Sequence, residues 1–302
     1  MLEKFKTLVA VVQLRSFSRA AGILNLSQPA VSKQIASLQS QYGMQLFQQP
    51  VRQCVLTPAG EVLFRHALSV LEAYRNLQEA MGAIEHATPR TLMVGASTVP
   101  GQYILPLLVG PFMSRHPNVL VNITIHDTRE VGSRLLHGEV DLALTGIPLN
   151  LPGVATHALF DDELVLIAPL CHALSTREQV CLQDIEGEVF IWREQGSATR
   201  QVLEDALGSA VSRLRRTLEL GNTQAVVAAV EAGAGLAFVS RWAANRAKRA
   251  ATLAVLPLDG LRVRRKIYGS YLGFSASGTL EEFLNFLLEA GARLDPDQET
   301  GQ

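Results

Sequence analysis

Three absences narrow the sequence before any motif is read. Only three cysteines occur, Cys54, Cys171 and Cys181, with no CxxC spacing. An odd count without metal-ligand spacing argues against a disulfide framework or a zinc site. Cys171 and Cys181 remain two ordinary thiols, or a redox pair if the fold joins them. No apolar run has membrane character: the longest uncharged stretch, Thr91 to Ser114, is broken by Pro100, Pro106 and Pro111. A membrane helix needs ~20 predominantly apolar residues. Met1 to Ala10 is interrupted by Glu3, Lys4 and Lys6, unlike a secretory signal. The expectation is a cytoplasmic chain with no membrane partner. HExxH, Walker, GxGxxG and GxSxG motifs are absent, and the seven histidines are scattered. No catalytic residue, metal or cofactor is expected.

What is present suffices for a core. Of 302 residues, 48% are apolar and 18% charged, which excludes a disordered chain and suggests roughly two or three domains. The formal net charge of −1 hides an asymmetry. Residues 1–60 hold six basic residues against one acid, while residues 61–302 hold 21 basic and 27 acidic residues. A basic head on an acidic body points to nucleic acid or another anionic surface.

Phe5, Leu8, Val9 and Val12 fall on one face of a helix. Ser16 to Ser18 offers caps for a second short helix, Arg19 to Leu24. Ser27 is a good N-cap, and Pro29 sits in the first turn, where its missing N–H costs nothing. Val31, Ile35 and Leu38 are the buried stripe of a third helix ending near Tyr42-Gly43. The pattern is a helix-turn-helix, though a plain helical bundle shares it. Gln28, Ser32 and Lys33 lie where a recognition helix meets base edges: Gln pairs with adenine, Ser reads either kind of group, and Lys reaches guanine or phosphate. Leu46-Phe47 to Val55-Leu56-Thr57 reads as a hairpin wing that offers Arg52 to phosphate.

Ser18-Arg19-Ala20-Ala21, the run Leu26-Ser27-Gln28-Pro29-Ala30-Val31-Ser32-Lys33-Gln34-Ile35, Leu46-Phe47 and Leu56-Thr57-Pro58-Ala59-Gly60 together resemble the N-terminal domain of LysR-type transcriptional regulators. The resemblance implies a winged helix-turn-helix over 1–58, reading an inverted-repeat operator in double-stranded DNA through Arg19, Ser27, Gln28, Pro29, Ala30, Ser32, Lys33 and Arg52. Two departures stand out. Gln48 and Gln49 occupy a place where arginine is common, and Gln39 one where glutamate is common. The first leaves phosphate affinity leaning on Arg52, Arg19 and Lys33.

Leu63, Ala67, Val70, Tyr74, Leu77, Met81 and Ile84 are spaced 4, 3, 4, 3, 4, 3, an apolar a/d seam. The reading is a linker helix over 59–88 that dimerises the chain; packing on its own effector domain is the alternative. The resemblance implies a homodimer and often a homotetramer.

From Thr91 onward, strand-like runs alternate with helical ones, which implies an α/β body with largely parallel sheets. The runs are Leu92–Gly95, Val119–Ile125, Leu142–Thr145, Leu164–Ala168, Val189–Trp192, Leu236–Val239 and Ile267–Leu272. The resemblance implies an effector domain over 89–302 that is like a periplasmic binding protein. Its lobes would be 91–164 plus 270–302 and 165–265, with crossovers near Leu164–Pro169 and Lys266–Ser270. Ligands sit beyond the carboxyl ends of such strands. There lie Ser97 and Thr98, Thr145, the stretch Gly196-Ser197-Ala198-Thr199-Arg200, and Asn222. Helix N-termini among them favour a carboxylate or oxyanion effector. The Gly-Ser-Ala-Thr-Arg segment resembles a Gly-Ser-Gly-Thr-Arg pattern in LysR-type regulators of sulfur and carbon assimilation, with Ala198 in place of glycine. Arg200 either pairs with the ligand or forms a surface ion pair. Asp161, Asp162 and Glu163 read as a solvated acidic turn. The function expected is a DNA-binding transcriptional regulator modulated by a small anion between two lobes. The alternative is a cytoplasmic solute-binding module without a regulatory DNA role.

Overall fold

The computed structural model describes residues 1–48, 54–84, 90–151, 153–273 and 278–294. Arg52 lies outside them, and so do the side chains of Met81 and Ile84.

The head is three helices, α1 (Leu2–Leu14), α2 (Phe17–Ile23) and α3 (Gln28–Tyr42). Ser16 caps α2 by accepting from Arg19 N–H, and Ser27 caps α3 by accepting from Ala30 N–H at 3.3 Å. Gly43, at φ 64°, ends α3 in the left-handed region where glycine costs least. Leu8, Val9, Leu14, Val31, Ile35 and Leu38 close the core. A bridge between Phe47 and Leu56 forms the base of the wing. The Gln39 side chain accepts from Leu46 N–H at 2.9 Å and so fixes the entry to the wing. Gln thus supplies the acceptor oxygen that glutamate would.

One helix, α4 (Pro58–Ile84, 27 residues), leaves the head, a rod of about 40 Å at 1.5 Å per residue. Its first four turns or so give one face to the head: Ala67 is fully buried, and Leu63, Phe64, Leu68 and Leu71 pack on the same core. Farther along, Val70, Tyr74 and Leu77 are 43, 39 and 55% exposed. The apolar seam therefore serves two surfaces, with Leu63 and Ala67 turned to the chain's own head.

The body alternates strands and helices: β1 (Arg90–Ala96), α5 (Leu105–Arg115), β2 (Val119–Ile125), α6 (Thr128–Leu136), β3 (Leu142–Thr145), β4 (Val154–Pro169), β5 (Val189–Arg193), α7 (Ala198–Leu207), β6 (Arg215–Leu220), α8 (Thr223–Glu231), β7 (Ala237–Ser240), α9 (Arg241–Arg249), β8 (Leu253–Leu256), β9 (Val263–Leu272) and α10 (Thr279–Gly291). Strands run in the order β2-β1-β3-β9-β4-β7, with β8 also on β4 and β5-β6 forming a separate pair. Among the described residues, three pairings are parallel and four antiparallel. The sheet is mixed, not largely parallel, because β4 and β9 run antiparallel to each other and to their neighbours. Sequence reading placed only Leu164–Ala168 of the 16-residue β4 and missed α9, whose Trp242, Ala243, Ala244 and Ala247 are its buried stripe.

The β4–β9 pair carries the chain between two cores. Leu159, Phe160 and Ile267 pack with the first core, and Leu164 and Val263 with the second. The crossing thus falls at 161–163 and 264–266, earlier than the positions expected. There the register sets Asp161 opposite Lys266, Asp162 opposite Arg265 and Glu163 opposite Arg264. Three consecutive acids facing three consecutive bases fix the register, since opposite charges attract across strands and a one-residue slip would turn every side chain over. The acidic cluster is therefore not a solvated turn. Asp162 is fully buried, accepting from Arg265 Nε at 2.8 Å and Ser240 Oγ at 2.7 Å. Asp161 stays exposed and pairs with Lys266 at 2.9 Å.

Candidate effector cleft and DNA-reading head

A cleft lies between the lobes where three strand-to-helix junctions meet. From the first lobe, Ser97 and Thr98 follow β1, and Thr128 opens α6 behind its N-cap Asp127. From the second, Ser197, Ala198 and Thr199 open α7. Ser197 makes no capping hydrogen bond. A π-helical turn, Pro100–Ile104, follows the Ser97-Thr98 loop directly. Its Tyr103 packs against the cores of both lobes. Burial pushes the Tyr103 phenol above its usual range, against the lowering pull of Arg246 and Arg193.

Two arginines that sequence reading missed complete the cleft. Arg193, at the end of β5, donates to both Glu194 oxygens at 2.7 Å, to Thr223 Oγ1 at 2.7 Å and to Thr98 Oγ1 at 3.5 Å. It ties lobe to lobe. Arg265, on β9, has Nε on Asp162 at 2.8 Å and Nη1 on Thr199 Oγ1 at 3.2 Å. Its Nη2 is buried and makes no hydrogen bond among the described residues. A buried unpaired guanidinium nitrogen is costly unless something accepts from it. The signal was in the alternation: Val263, Arg265 and Ile267 share the inward face of β9.

Other expected effector residues sit elsewhere. Thr145 is fully buried and donates to Ile147 O at 2.8 Å. Asn222 caps α8 by accepting from Ala225 N–H at 2.7 Å. Gly196 supplies the positive φ of the turn before α7. Arg200 pairs with Glu204 at 2.9 Å and Glu219 at 2.7 Å, and donates to Arg193 O at 3.1 Å. Desolvation works against its charge, but hydrogen bonds to Glu204 and Glu219 outweigh it and hold its pKa above the ordinary value. It braces the cleft from behind. Cys171 and Cys181 are exposed free thiols, and Cys181 Sγ donates to Asp184 at 2.9 Å.

In the head, Arg19, Gln28, Pro29 and Lys33 are exposed, while Ala30 and Ser32 are half-buried. Gln28 Nε2 donates to Ser32 Oγ at 3.1 Å, so these two potential base readers hold each other. Val31, Ile35 and Leu38 anchor the opposite face of α3.

A head shaped for a DNA groove and a body shaped for a small molecule, on one chain, define a one-component DNA-binding regulator. Residues 2–61 match the family described as bacterial regulatory helix-turn-helix protein, lysR family, and residues 86–292 match the LysR substrate binding domain. The chain belongs to the LysR family of transcriptional regulators. It is 33% identical to a probable RuBisCO transcriptional regulator of Trichormus variabilis, over 88% of this chain and 81% of that one. It is 31% identical to the RuBisCO operon transcriptional regulator of Allochromatium vinosum, over 97% of both. Its fold is similar to the CcmR regulatory domain of Synechocystis PCC6803 in complex with 2-PG (TM-score 0.63, 24% identity, 68% of this chain and 98% of that one). It is similar also to full-length CbnR complexed with its target DNA (TM-score 0.60, 21% identity, 96% and 99%). The solute-binding alternative does not account for residues 2–61. Among the described residues, no helix is long and apolar enough to cross a membrane.

Proposed function

We propose that this regulator senses a small anion in the cleft lined by Ser97, Thr98, Ser197, Thr199, Arg193 and Arg265, and reads an inverted-repeat operator with two heads. The observation that carries the anion is Arg265 Nη2, buried without an acceptor among the described residues, on an arginine that lines the cleft with five hydroxyl side chains. Such a nitrogen favours a carboxylate or phosphate oxygen that returns the lost hydrogen bond. Effector binding shifts the population between two lobe arrangements by its differential affinity for them. The exposed Val70, Tyr74 and Leu77 of α4 pair two chains, and two heads then read two half-sites. Names of relatives at 31–33% identity support a promoter of RuBisCO genes as the operator. The same reading places the chain in the cytoplasm and gives the cleft no catalytic role.

The test is a thermal-shift titration of the full chain with inorganic phosphate, sulfate and 2-PG. A ligand at 100 times its Kd adds about 2.7 kcal/mol of stability. At least one anion is expected to raise Tm in the parent and not in Arg265→Gln. Equal responses in both, or none in either, sink the anion reading.

A further inference from the structure

Two small residues face each other across the cleft. Gly146 follows β3 in the first lobe, and Ala198 opens α7 in the second. A Cβ on Gly146 would lie 2.8 Å from Arg265 Nη1 and 3.2 Å from both Arg265 Cζ and the Ala198 methyl. Ordinary carbon contacts are ~3.5–4.0 Å, so a side chain on Gly146 has no room. The backbone does not ask for glycine here, because Gly146 is not among the residues at positive φ. The demand comes from the opposing lobe. Arg265 does not swing clear cheaply, since Asp162 and Thr199 pin it at 2.8 and 3.2 Å and its side chain is 4% exposed.

Beside this contact the cleft measures about 10 Å³, about one water-sized sphere. Arg265 Nη2, the group that most favours an anion, is buried from solvent, so an anionic oxygen reaches it only after its surroundings move.

We propose that the effector acts as a wedge: its anionic head reaches Arg265 Nη2 only as Gly146 and Ala198 move apart, so binding opens the cleft at this contact. The proposal rests on the anion reading above and adds the direction of the motion and the residue pair that sets it. Gly146 and Ala198 also become the size filter. A single small anionic head passes, and a bulky group next to that head is refused. A side chain added at 146 imitates the wedge without any ligand.

The test uses the full chain. Spin labels on native Cys181 and on Arg129→Cys, with Cys54→Ala and Cys171→Ser, report the distance between lobes by pulsed electron resonance. Gly146→Ala and Ala198→Val push from opposite lobes, so one still reports if the other fails to fold, which a melting curve checks. Each is expected to lengthen the distance by on the order of 1 Å or more, the shortfall of the Cβ contact. Inorganic phosphate is expected to lengthen it in the parent and to add little in either variant. An unchanged distance in the folded variants overturns the wedge, and so does a phosphate-induced shortening in the parent. Failure of the anion reading looks different: phosphate, sulfate and 2-PG then each leave Tm unchanged or raise it equally in the parent and in Arg265→Gln, whatever distances the variants give.

Discussion

The head and the cleft solve the same problem, holding polar groups ready for a partner, in opposite ways. In the head the groups proposed to face DNA come from a short stretch, Arg19 to Lys33, and several are bathed in solvent. Their neighbours do the structural work: Val31, Ile35 and Leu38 are buried on the other face of α3. In the cleft the polar groups come from segments as far apart as Ser97 and Arg265, and they are buried. Arg193 and Arg265 spend most of their hydrogen bonds within the fold, so these cleft residues are also structural. Separating function from stability is thus cheap in the head and expensive in the cleft.

That difference governs how much could be read from the amino-acid order. A contiguous motif with 3.6-residue periodicity is visible in one dimension, so the three head helices and their caps were legible. The hydroxyls near strand ends were legible too, because Ser97 and Thr98 follow an apolar run directly and Ser197 and Thr199 follow one after a short polar turn. Arg193 and Arg265 were not, because a buried arginine is recognised by its partners, and Asp162 lies 103 residues from Arg265. The acids at 161–163 were visible but looked like a solvated turn, and the bases at 264–266 carried no pattern of their own. Only the antiparallel register of β4 and β9 makes them one charge ladder. Arg200 was open between a ligand and an ion pair, and the fold gives it the ion pair. It sits in the motif, but Glu204 one helical turn on and Glu219 on β6 take its guanidinium.

The comparison breaks most visibly at Asp162. Removing one partner of a buried pair leaves an uncompensated charge and costs about 3–5 kcal/mol. Asp162→Ala is expected to lower stability by that amount in urea unfolding and to abolish the anion response with it. Asp161→Ala, one residue away but 83% exposed, is expected to leave the unfolding midpoint where it was. Equal effects at the two positions would mean that the ladder acts as a surface network.

The head is expected to show the opposite split. Gln28→Ala and Lys33→Ala alter exposed side chains, so unfolding should shift by no more than ~0.5 kcal/mol. Operator affinity, measured by fluorescence anisotropy, should fall by about 1–3 kcal/mol for Gln28→Ala, with specificity relaxed at one base pair. Lys33→Ala should reduce the slope of log affinity against log salt by about 1 if Lys33 holds a phosphate, and leave it unchanged if it reads guanine alone.

Two helix caps give the smallest and sharpest comparison. Ser27 caps α3 and Asn222 caps α8 through the same bond, a side-chain oxygen accepting from the N–H three residues on. Replacing either with alanine should cost about 1 kcal/mol of stability. The bond at Asn222 is shorter, 2.7 against 3.3 Å, so Asn222→Ala should lie at the upper end of that cost. Their functional consequences should diverge. Ser27 begins the helix that presents Gln28 and Lys33, so fraying there weakens operator binding beyond the loss of stability. Asn222 starts a helix whose next residue, Thr223, holds Arg193, but its own side chain is spent on the cap. Phosphate should therefore raise the Tm of Asn222→Ala by the same increment as in the parent. A lost increment would return Asn222 to the effector site and show that the cleft draws on α8 directly.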